Sequence, residues 1–127
     1  MQKRAGLLYL SLNNHRIFLI LENEKWTVPT FSRKDTLFED SRAVTDVFIE
    51  GKILPIELYT SKDNGFEFST YICLVSEEFV PSDYTICWSK LDQLPKNIHT
   101  GLKNTLNNNI IKTKIETILE LQDAIID

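Results

Sequence analysis

The sequence predicts an α+β domain in which a mixed β-sheet is packed with helices, and three observations favour this class. Strand-like apolar runs fill both halves of the chain, and the turn signals NNH and KDNG each separate two of them. Apolar residues adopt helical spacing once in the middle of the chain and again at its end. The resulting order of strands, helix, strands and two helices is typical of a sheet that carries helices on its surface.

The first half contains a predicted hairpin, a short strand and a helix. AGLLYLSL and RIFLILEN form the hairpin around NNH, and KWTVP is a third strand that ends at Pro29. Residues 30–35 are predicted as a loop. A helix begins at Thr36, because Thr36 and Glu39 match a capping box, and Gly51 fits the position just after its last turn.

The second half adds another hairpin, one more strand and two helices. KILPIELYTS and FEFSTYICLVS are joined through KDNG, EEFVPSD is a loop, YTICWSK is a strand and LDQLPKN is irregular. HTGLKNTLNN predicts a short helix and IIKTKIETILELQDAII a longer one. The asparagines at 107–109 predict a kink or break between these two helices.

Composition limits the function classes. The 127 residues are 43% hydrophobic and 25% charged, which is enough for one domain with a core. A formal net charge of −4 gives no large basic field for bulk nucleic-acid binding, so a phosphorylated ligand would need a local cation or a metal. No segment approaches the roughly 20 apolar residues of a membrane span, and the N-terminal apolar stretch is too short for a secretory signal. We expect a cytoplasmic protein without membrane contact.

The histidines and cysteines match no catalytic or metal-binding pattern. His15 lies by a turn and His99 near a helix start, and neither has a nucleophile at a recognisable spacing, so both are interpreted as structural or surface residues. Cys73 and Cys87 lie in strand-like runs without metal-ligand spacing. We expect buried thiols in a reducing compartment, with a disulfide between the two as the alternative.

Acidic residues share one face of the helix predicted after Thr36. Glu39, Asp46 and Glu50 fall within about 40° of one another around the helix axis. Asp46 and Glu50 could both present oxygens to one Mg²⁺ or Mn²⁺, and the metal would polarise a phosphoryl oxygen. The alternative, which periodicity alone favours, is an ordinary solvated face on which Arg42 pairs with Asp46.

Several segments resemble the Nudix superfamily. AGLLYLSLNNHRIFLILENEKWTVP resembles that family's opening hairpin and the strand entering its signature loop, and LPKNIHTGLKNTL is especially similar to short Nudix proteins of bacteriophages. The resemblance covers residues 4–107. It implies a Nudix-like α/β/α sandwich as a domain over residues 1–107, followed by an added amphipathic helix over residues 108–127. A phage protein of this kind would act in the host cytoplasm.

The family motif, GX5EX7REUXEEXGU with U apolar, forms a loop–helix–loop that holds a divalent metal against a diphosphate. Aligned through the predicted strand and helix, its first glycine falls on Phe31, its first glutamate on Leu37 and its arginine on Thr45. Ile49 replaces a later glutamate. Phe31 puts bulk where glycine allows tight backbone conformations, and Thr45 cannot hold a carboxylate by a bidentate fork.

Two acids of the motif survive in type. Asp46 and Glu50 fall on glutamate positions and are the candidate catalytic residues and metal ligands. Many members of the family take a further carboxylate from a later loop, which is shortened here to SEEFVPSDY. Glu77, Glu78 or Asp83 could supply it, and the spacing selects none of them.

Residues around the motif loop are the candidate ligand contacts. Trp26 and Phe31 flank that loop and could stack a base, and Arg33 and Lys34 could meet phosphate. The alternatives are core packing for the rings and an exposed, solvated loop for the cations. Other aromatic residues that could line a pocket are Phe66, Phe68, Tyr71 and Trp88.

The last helix carries a wide apolar stripe. It can pack on its own domain, or it can form a homodimer or a contact with a partner protein. The stripe consists of Ile111, Ile115, Ile118, Gln122 and Ile125, widened by Leu119, Leu121 and Ile126.

We therefore predict a Nudix-fold protein with a degenerate catalytic motif. It would bind a nucleotide or nucleoside-diphosphate derivative, or a protein partner, with little or no hydrolysis. The alternative is a divergent nucleoside diphosphate-X pyrophosphohydrolase that depends on Mg²⁺ or Mn²⁺. A third interpretation is a protein-interaction scaffold without a ligand. If the protein does not hydrolyse its ligand, no cofactor is expected.

Overall fold

Seven strands and two helices form the part of the chain that the computed structural model describes, residues 2–32, 56–82 and 84–126. The helix predicted from Thr36, and with it Asp46 and Glu50, lies outside these residues. The strands are β1 (Gln2–Ser11), β2 (Arg16–Glu22), β3 (Lys25–Thr27), β4 (Thr30–Ser32), β5 (Ile56–Asp63), β6 (Phe66–Val75) and β7 (Ile86–Lys90), and the helices are α1 (Thr100–Leu106) and α2 (Asn109–Ile126).

The sheet is mixed, as predicted. Its main path runs β3-β2-β1-β6-β5, with β4 paired to β1 and β7 paired to β2. β1 and β6 are parallel along their whole length, and the other strand pairs are antiparallel. Residues 5–11 of β1 are all buried, which is typical of a parallel strand covered on both faces.

The two predicted hairpin turns are present. β1 and β2 are joined through residues 12–15, where His15 has a φ of 54°. β5 and β6 are joined through Asn64 and Gly65, with φ values of 38° and 81°. Asparagine and glycine tolerate this left-handed backbone better than other residues, which is why KDNG predicts the turn.

The predicted loop at residues 30–35 is wrong in its first part. Thr30–Ser32 form β4, which pairs with β1 at Arg4, Ala5 and Gly6. The chain from β3 to β4 crosses from β2 to β1, and the Pro29 carbonyl accepts a hydrogen bond from the Leu7 N–H at 3.0 Å during the crossing. Pro29 has no N–H to donate, but its carbonyl is bonded to β1, so the chain stays beside β1 and strand pairing begins again at Thr30.

The two faces of the sheet have different cores. Leu8 and Leu10 of β1 face an aliphatic cluster that includes Leu102 and Leu106 of α1. Ala5, Leu7 and Tyr9 of β1 face an aromatic cluster on the opposite side. Ring centroids in that second cluster lie 4.8–5.9 Å apart among Tyr9, Phe18, Phe79 and Trp88.

The first half of α2 packs on its own domain. Ile111 and Ile115 are 2% and 3% exposed and belong to the aliphatic core, and Ile118 and Leu119 pack against it. Leu121 on the same helix is 59% exposed. The stripe identified in the sequence is therefore buried at Ile111 and Ile115 and exposed at Leu121.

The predicted break between the helices is confirmed. α1 ends at Leu106, and the Asn108 side chain accepts hydrogen bonds from the N–H groups of Ile110 and Ile111 at 2.9 and 3.2 Å. An asparagine in this position starts a new helix because it satisfies backbone donors that have no partner within the helix. Across the described ranges, no helix has the length and apolar character needed to span a membrane.

The cysteines are not joined to each other. Cys73 is buried in the aromatic cluster, and Cys87 packs against the aliphatic one on the opposite face. The predicted reduced state is therefore consistent with the geometry. Burial raises the pKa of the Cys87 thiol, which disfavours the reactive thiolate.

Candidate functional site

A cleft of about 320 Å³ opens between the sheet and the start of α1. Its floor is β1, one wall is the chain that crosses from β3 to β4, and the other walls are β6 and α1. Most of the lining is apolar. The lining residues are Gly6, Leu8, Thr27, Val28, Thr30, Phe66, Phe68, Thr70, His99, Gly101, Leu102 and Thr105.

Gly6 lets the Phe68 ring lie across the floor of the cleft. A Cβ added to Gly6 would lie 3.1 Å from Phe68 Cζ and 3.6 Å from Val28 Cγ2. The first distance is shorter than an ordinary carbon–carbon contact of about 3.5–4.0 Å. Phe66 stacks behind Phe68, with ring centroids 6.5 Å apart and planes 19° apart. Gly6 thus lets the aromatic ring lie closer to β1 than any side chain at this position would allow.

His99 forms the edge of the cleft and caps α1. Its Nδ1 accepts hydrogen bonds from the N–H groups of Gly101 and Leu102 at 3.1 and 3.4 Å. Its backbone N–H donates to the Trp26 carbonyl at 2.8 Å, and the Trp26 N–H donates to the Asn97 carbonyl at 2.7 Å. These bonds tie the start of α1 to β3, and they fix the imidazole at the cleft.

The outer part of the cleft is polar. A second space of about 460 Å³ adjoins the first, and both are lined by Thr27, Thr30, Phe68 and His99. We call the first space the chamber, the second the mouth, and the two together the cleft. Arg4 Nη2 donates to Thr30 Oγ1 at 3.2 Å at their boundary. The mouth is also lined by Glu22, Asn23 and Lys25.

Glu78, one of the predicted loop acids, is held far from the cleft. Arg16 Nε and Ser11 Oγ donate to its Oε2 at 2.7 and 2.8 Å, and a second guanidinium N–H of Arg16 donates to Oε1. The hydrogen bonds from Arg16 lower the pKa of the Glu78 carboxyl. Ser11 is five residues beyond Gly6 on β1, or about 16 Å along an extended strand.

The described residues do not fit a divalent cation. They contain no group of three or more histidine, cysteine, aspartate or glutamate side chains placed to hold one. Glu78 would have to leave its guanidinium fork to become a ligand, and Glu77 is exposed beside it. Asp83, like Asp46 and Glu50, lies outside the described residues.

Of the four residues predicted to bind ligand, two belong to strands beside the cleft and two lie outside the described residues. Trp26 is half-buried and packs against the aliphatic core, and its backbone holds the start of α1. Phe31 pairs with Ala5 through its backbone, and its side chain lies outside the described part of the chain. Arg33 and Lys34 lie outside the described residues. These four assignments stay predictions.

The other aromatic candidates divide between the two faces of the sheet. Phe66 and Phe68 line the chamber. Tyr71 is buried in the aromatic cluster on the opposite face, where Trp88 donates from Nε1 to the Phe79 carbonyl at 2.9 Å. The alternation of side chains along β6 produces this division, because residues 66 and 68 face one side and residue 71 the other.

His99, Arg4 and Lys25 line the cleft and were not predicted from the sequence as site residues. The signal for His99 was weak but present, because a side chain that can accept hydrogen bonds precedes the short helix and a glycine follows two residues later. No spacing in the sequence connects Arg4 and Lys25. They meet because β4 returns to β1 beside β3.

Comparisons with known proteins identify the fold. No protein-family model and no curated protein matches the chain. An ADP-ribose pyrophosphatase from Streptococcus suis is similar in structure, with a TM-score of 0.64 and 15% identity over 91% of this chain and 90% of that one. A putative Nudix hydrolase from Chromobacterium violaceum has a TM-score of 0.61 and 10% identity over 98% and 92%. The C-terminal domain of mouse MUTYH, solved in complex with human PCNA, has a TM-score of 0.56 and 9% identity over 82% and 83%.

Proposed function

From the Nudix fold of this chain, we propose that it binds a nucleotide or nucleoside-diphosphate derivative in the cleft, with little or no hydrolysis. The observation that carries the proposal is the sequence of surfaces along the cleft. An apolar chamber with an aromatic ring leads into a mouth that carries two cationic side chains. A nucleotide has the same order, a flat ring at one end and phosphates at the other.

The chamber suits a planar ring. Its volume of about 320 Å³ lies within the usual range for small-molecule sites, and Leu8, Val28 and Leu102 give it apolar walls. The Phe68 ring can stack on a base, and such stacking is worth about 1–3 kcal/mol in single-stranded nucleic-acid complexes. The chamber therefore supplies the apolar part of the affinity.

The mouth suits phosphate. Arg4 and Lys25 line it, and Glu22 is the one acidic residue among its described lining residues. Guanidinium and ammonium groups form the stronger, charge-assisted hydrogen bonds with phosphate oxygens. Since the chain as a whole carries a net charge of −4, this small cationic site selects a compact anion and not a nucleic-acid backbone.

Little hydrolysis is expected because the motif has lost several groups that shape a metal site. Phe31 and Thr45 stand at glycine and arginine positions of the family motif, and Ile49 stands at a glutamate position. The loop carboxylate of Glu78 is engaged by Arg16 and Ser11. The alternative enzyme would have to hold Mg²⁺ or Mn²⁺ with Asp46 and Glu50.

Partner binding is a second candidate function. The similarity to the MUTYH domain favours it, because that domain of similar fold was solved in complex with a protein. In this chain the exposed side chain of Leu121 on α2 is an apolar contact point for a partner or a second copy.

Calorimetry with Phe68→Ala tests nucleotide binding. The ligands are ADP, UDP, ADP-ribose and a UDP-sugar, each titrated with and without Mn²⁺. We expect at least one to bind the wild type, and Phe68→Ala to weaken it about fivefold or more. Leu121→Ala, on an exposed side chain away from the cleft, is the control that should bind normally.

Two results would contradict this proposal. If none of the four ligands binds, the cleft is not a nucleotide site. If the protein with Mn²⁺ rapidly releases phosphate-containing product, and Glu50→Gln abolishes that release, the divergent pyrophosphohydrolase is the correct function.

A further inference from the structure

The imidazole of His99 is fixed at the boundary between the chamber and the mouth. His99 is among the four residues that line both spaces. Its backbone is held by Trp26, and its ring lies over Gly101, where an added Cβ would be only 3.0 Å from Cε1 and 3.1 Å from Nδ1. Gly101 is therefore the residue that lets the ring lie against the start of α1.

The hydrogen bonds at Nδ1 determine which ring nitrogen carries the proton. Nδ1 accepts from two backbone N–H groups, so it must present a lone pair. The neutral ring then carries its proton on Nε2, which is a donor and cannot accept. Nε2 has no hydrogen-bond partner among residues 2–32, 56–82 and 84–126.

The imidazole of His99 takes up two backbone N–H groups at the start of α1 and presents its own N–H group to the cleft. The N–H groups of Gly101 and Leu102 are directed to Nδ1, so a ligand in the cleft cannot use them. Nε2–H of His99 is the donor that remains for a ligand at this point of the cleft. Nε2–H needs an acceptor, and the charged oxygens of a phosphate form a stronger hydrogen bond with such a donor than the neutral hydroxyls of a ribose do.

We infer that His99 donates from Nε2 to the first phosphate of the bound nucleotide and that this contact needs no metal. The inference rests on the proposed function of the cleft. The chamber holds the base, His99 meets the phosphate nearest the nucleoside, and Arg4 and Lys25 meet the phosphate beyond it, because they line the mouth but not the chamber.

A ligand series measured in EDTA tests this order. Adenosine, AMP and ADP form one series, and uridine, UMP and UDP form a second. In the wild type we expect AMP or UMP to bind about tenfold more tightly than its nucleoside, since a hydrogen bond to a charged group contributes more than a neutral one. His99→Asn should reduce this gain to threefold or less while leaving nucleoside affinity unchanged.

The variants are matched so that a folding defect is not mistaken for loss of the contact. Asparagine is a good N-cap residue, so His99→Asn keeps the cap, and its amide is shorter than the imidazole, so its own N–H groups do not reach the position of Nε2–H. His15→Asn makes the same substitution at a histidine outside the cleft and should bind as the wild type does. Gly101→Ala keeps the imidazole but displaces it, and it should lose the same gain. Lys25→Ala should instead reduce the gain from AMP to ADP, or from UMP to UDP.

Each other outcome has one meaning. If His99→Asn weakens nucleoside and monophosphate equally, His99 contacts the nucleoside and the phosphate assignment is wrong. If the monophosphate gain appears only with added Mn²⁺, or persists in His99→Asn, the metal-independent contact is wrong while the nucleotide site stands. If neither series binds, the proposed function fails together with this inference.

Discussion

A single methyl group added to the floor of the cleft should separate ligand affinity from stability. In Gly6→Ala the new Cβ would lie 3.1 Å from Phe68 Cζ and 3.5 Å from Cε1, so the ring must shift by about 0.5 Å to restore an ordinary contact. Phe68 is half-buried at the edge of the cleft, so its ring can move towards the chamber. The shift narrows the space that a base would occupy.

The expected magnitudes follow from this geometry. Overpacking in a closed core costs about 1–3 kcal/mol, but here the ring yields into open space. Replacing glycine in a strand also restricts the unfolded chain, which stabilises by about 0.5–1 kcal/mol. The free energy of unfolding should therefore change by less than about 1 kcal/mol. Nucleotide affinity should fall about fivefold, which corresponds to about 1 kcal/mol.

Gly65→Ala is the matched control with the opposite result. Gly65 has a φ of 81°, and nothing lies within 4 Å of its added Cβ. The substitution forces alanine into the left-handed region at a cost of about 1–2 kcal/mol, without touching the lining of the cleft. Urea unfolding should show a loss of stability, and calorimetry should show unchanged affinity. If Gly6→Ala binds the nucleotide as the wild type does, Phe68 does not shape the site. The same conclusion follows if the loss of binding free energy is no larger than the loss in the free energy of unfolding.

Three further predictions concern the frame around the cleft. Ile115→Ala should lower the free energy of unfolding in urea by about 3 kcal/mol, because it removes three buried methylene-sized groups at about 0.8 kcal/mol each and leaves a cavity. Leu121→Ala, at an exposed position of the same helix, should change it by less than about 0.5 kcal/mol. Equal effects of the two substitutions would mean that α2 does not pack as described. Asn108→Ala should cost about 1 kcal/mol and Asn108→Asp much less, because only alanine removes the cap of α2. Glu78→Gln should be less stable than the wild type at pH 7, and this difference in stability should disappear as the pH falls below the ordinary glutamate pKa. The reason is that Arg16 lowers the pKa of Glu78 in the folded protein. The ionised pair therefore stabilises the fold fully above the pKa that Glu78 has in the unfolded chain, and this stabilisation is lost as the pH falls through its pKa in the folded protein. A difference that stays constant down to pH 2 would contradict the role of the ionised pair.

Local signals explain why most of the fold could be predicted. Asn64 and Gly65 match the backbone their turn needs, and the three asparagines at 107–109 mark the change from one helix to the next. β4 was missed because a three-residue strand directly after Pro29 has no periodicity of its own. It exists because β1 and β2 are joined in register at Leu10 and Ile17 and leave the start of β1 open for another partner. That is a tertiary cause, and no window of the sequence contains it.

The site was harder to predict than the fold because its residues come from separate elements. Gly6, Thr30, Phe68 and His99 belong to β1, β4, β6 and the cap of α1. The family motif predicts a site made by one loop and one helix, whose residues are neighbours in the sequence. Trp26 was therefore predicted as a ring that stacks on ligand, and no local pattern pairs it with His99, which lies 73 residues later.

The backbone of Trp26 gives that residue a second role in the site. Its N–H and C=O groups bond to Asn97 and His99, so β3 and the start of α1 form one unit. β3 continues through Pro29 into β4, whose Thr30 hydroxyl accepts from Arg4 at the boundary of the mouth. A displacement of this crossing segment would move the His99 imidazole and the Arg4 guanidinium together. Because backbone bonds carry this coupling, we expect Trp26→Phe, which keeps them, to preserve the monophosphate gain even if the indole itself contributes to the affinity of the nucleoside.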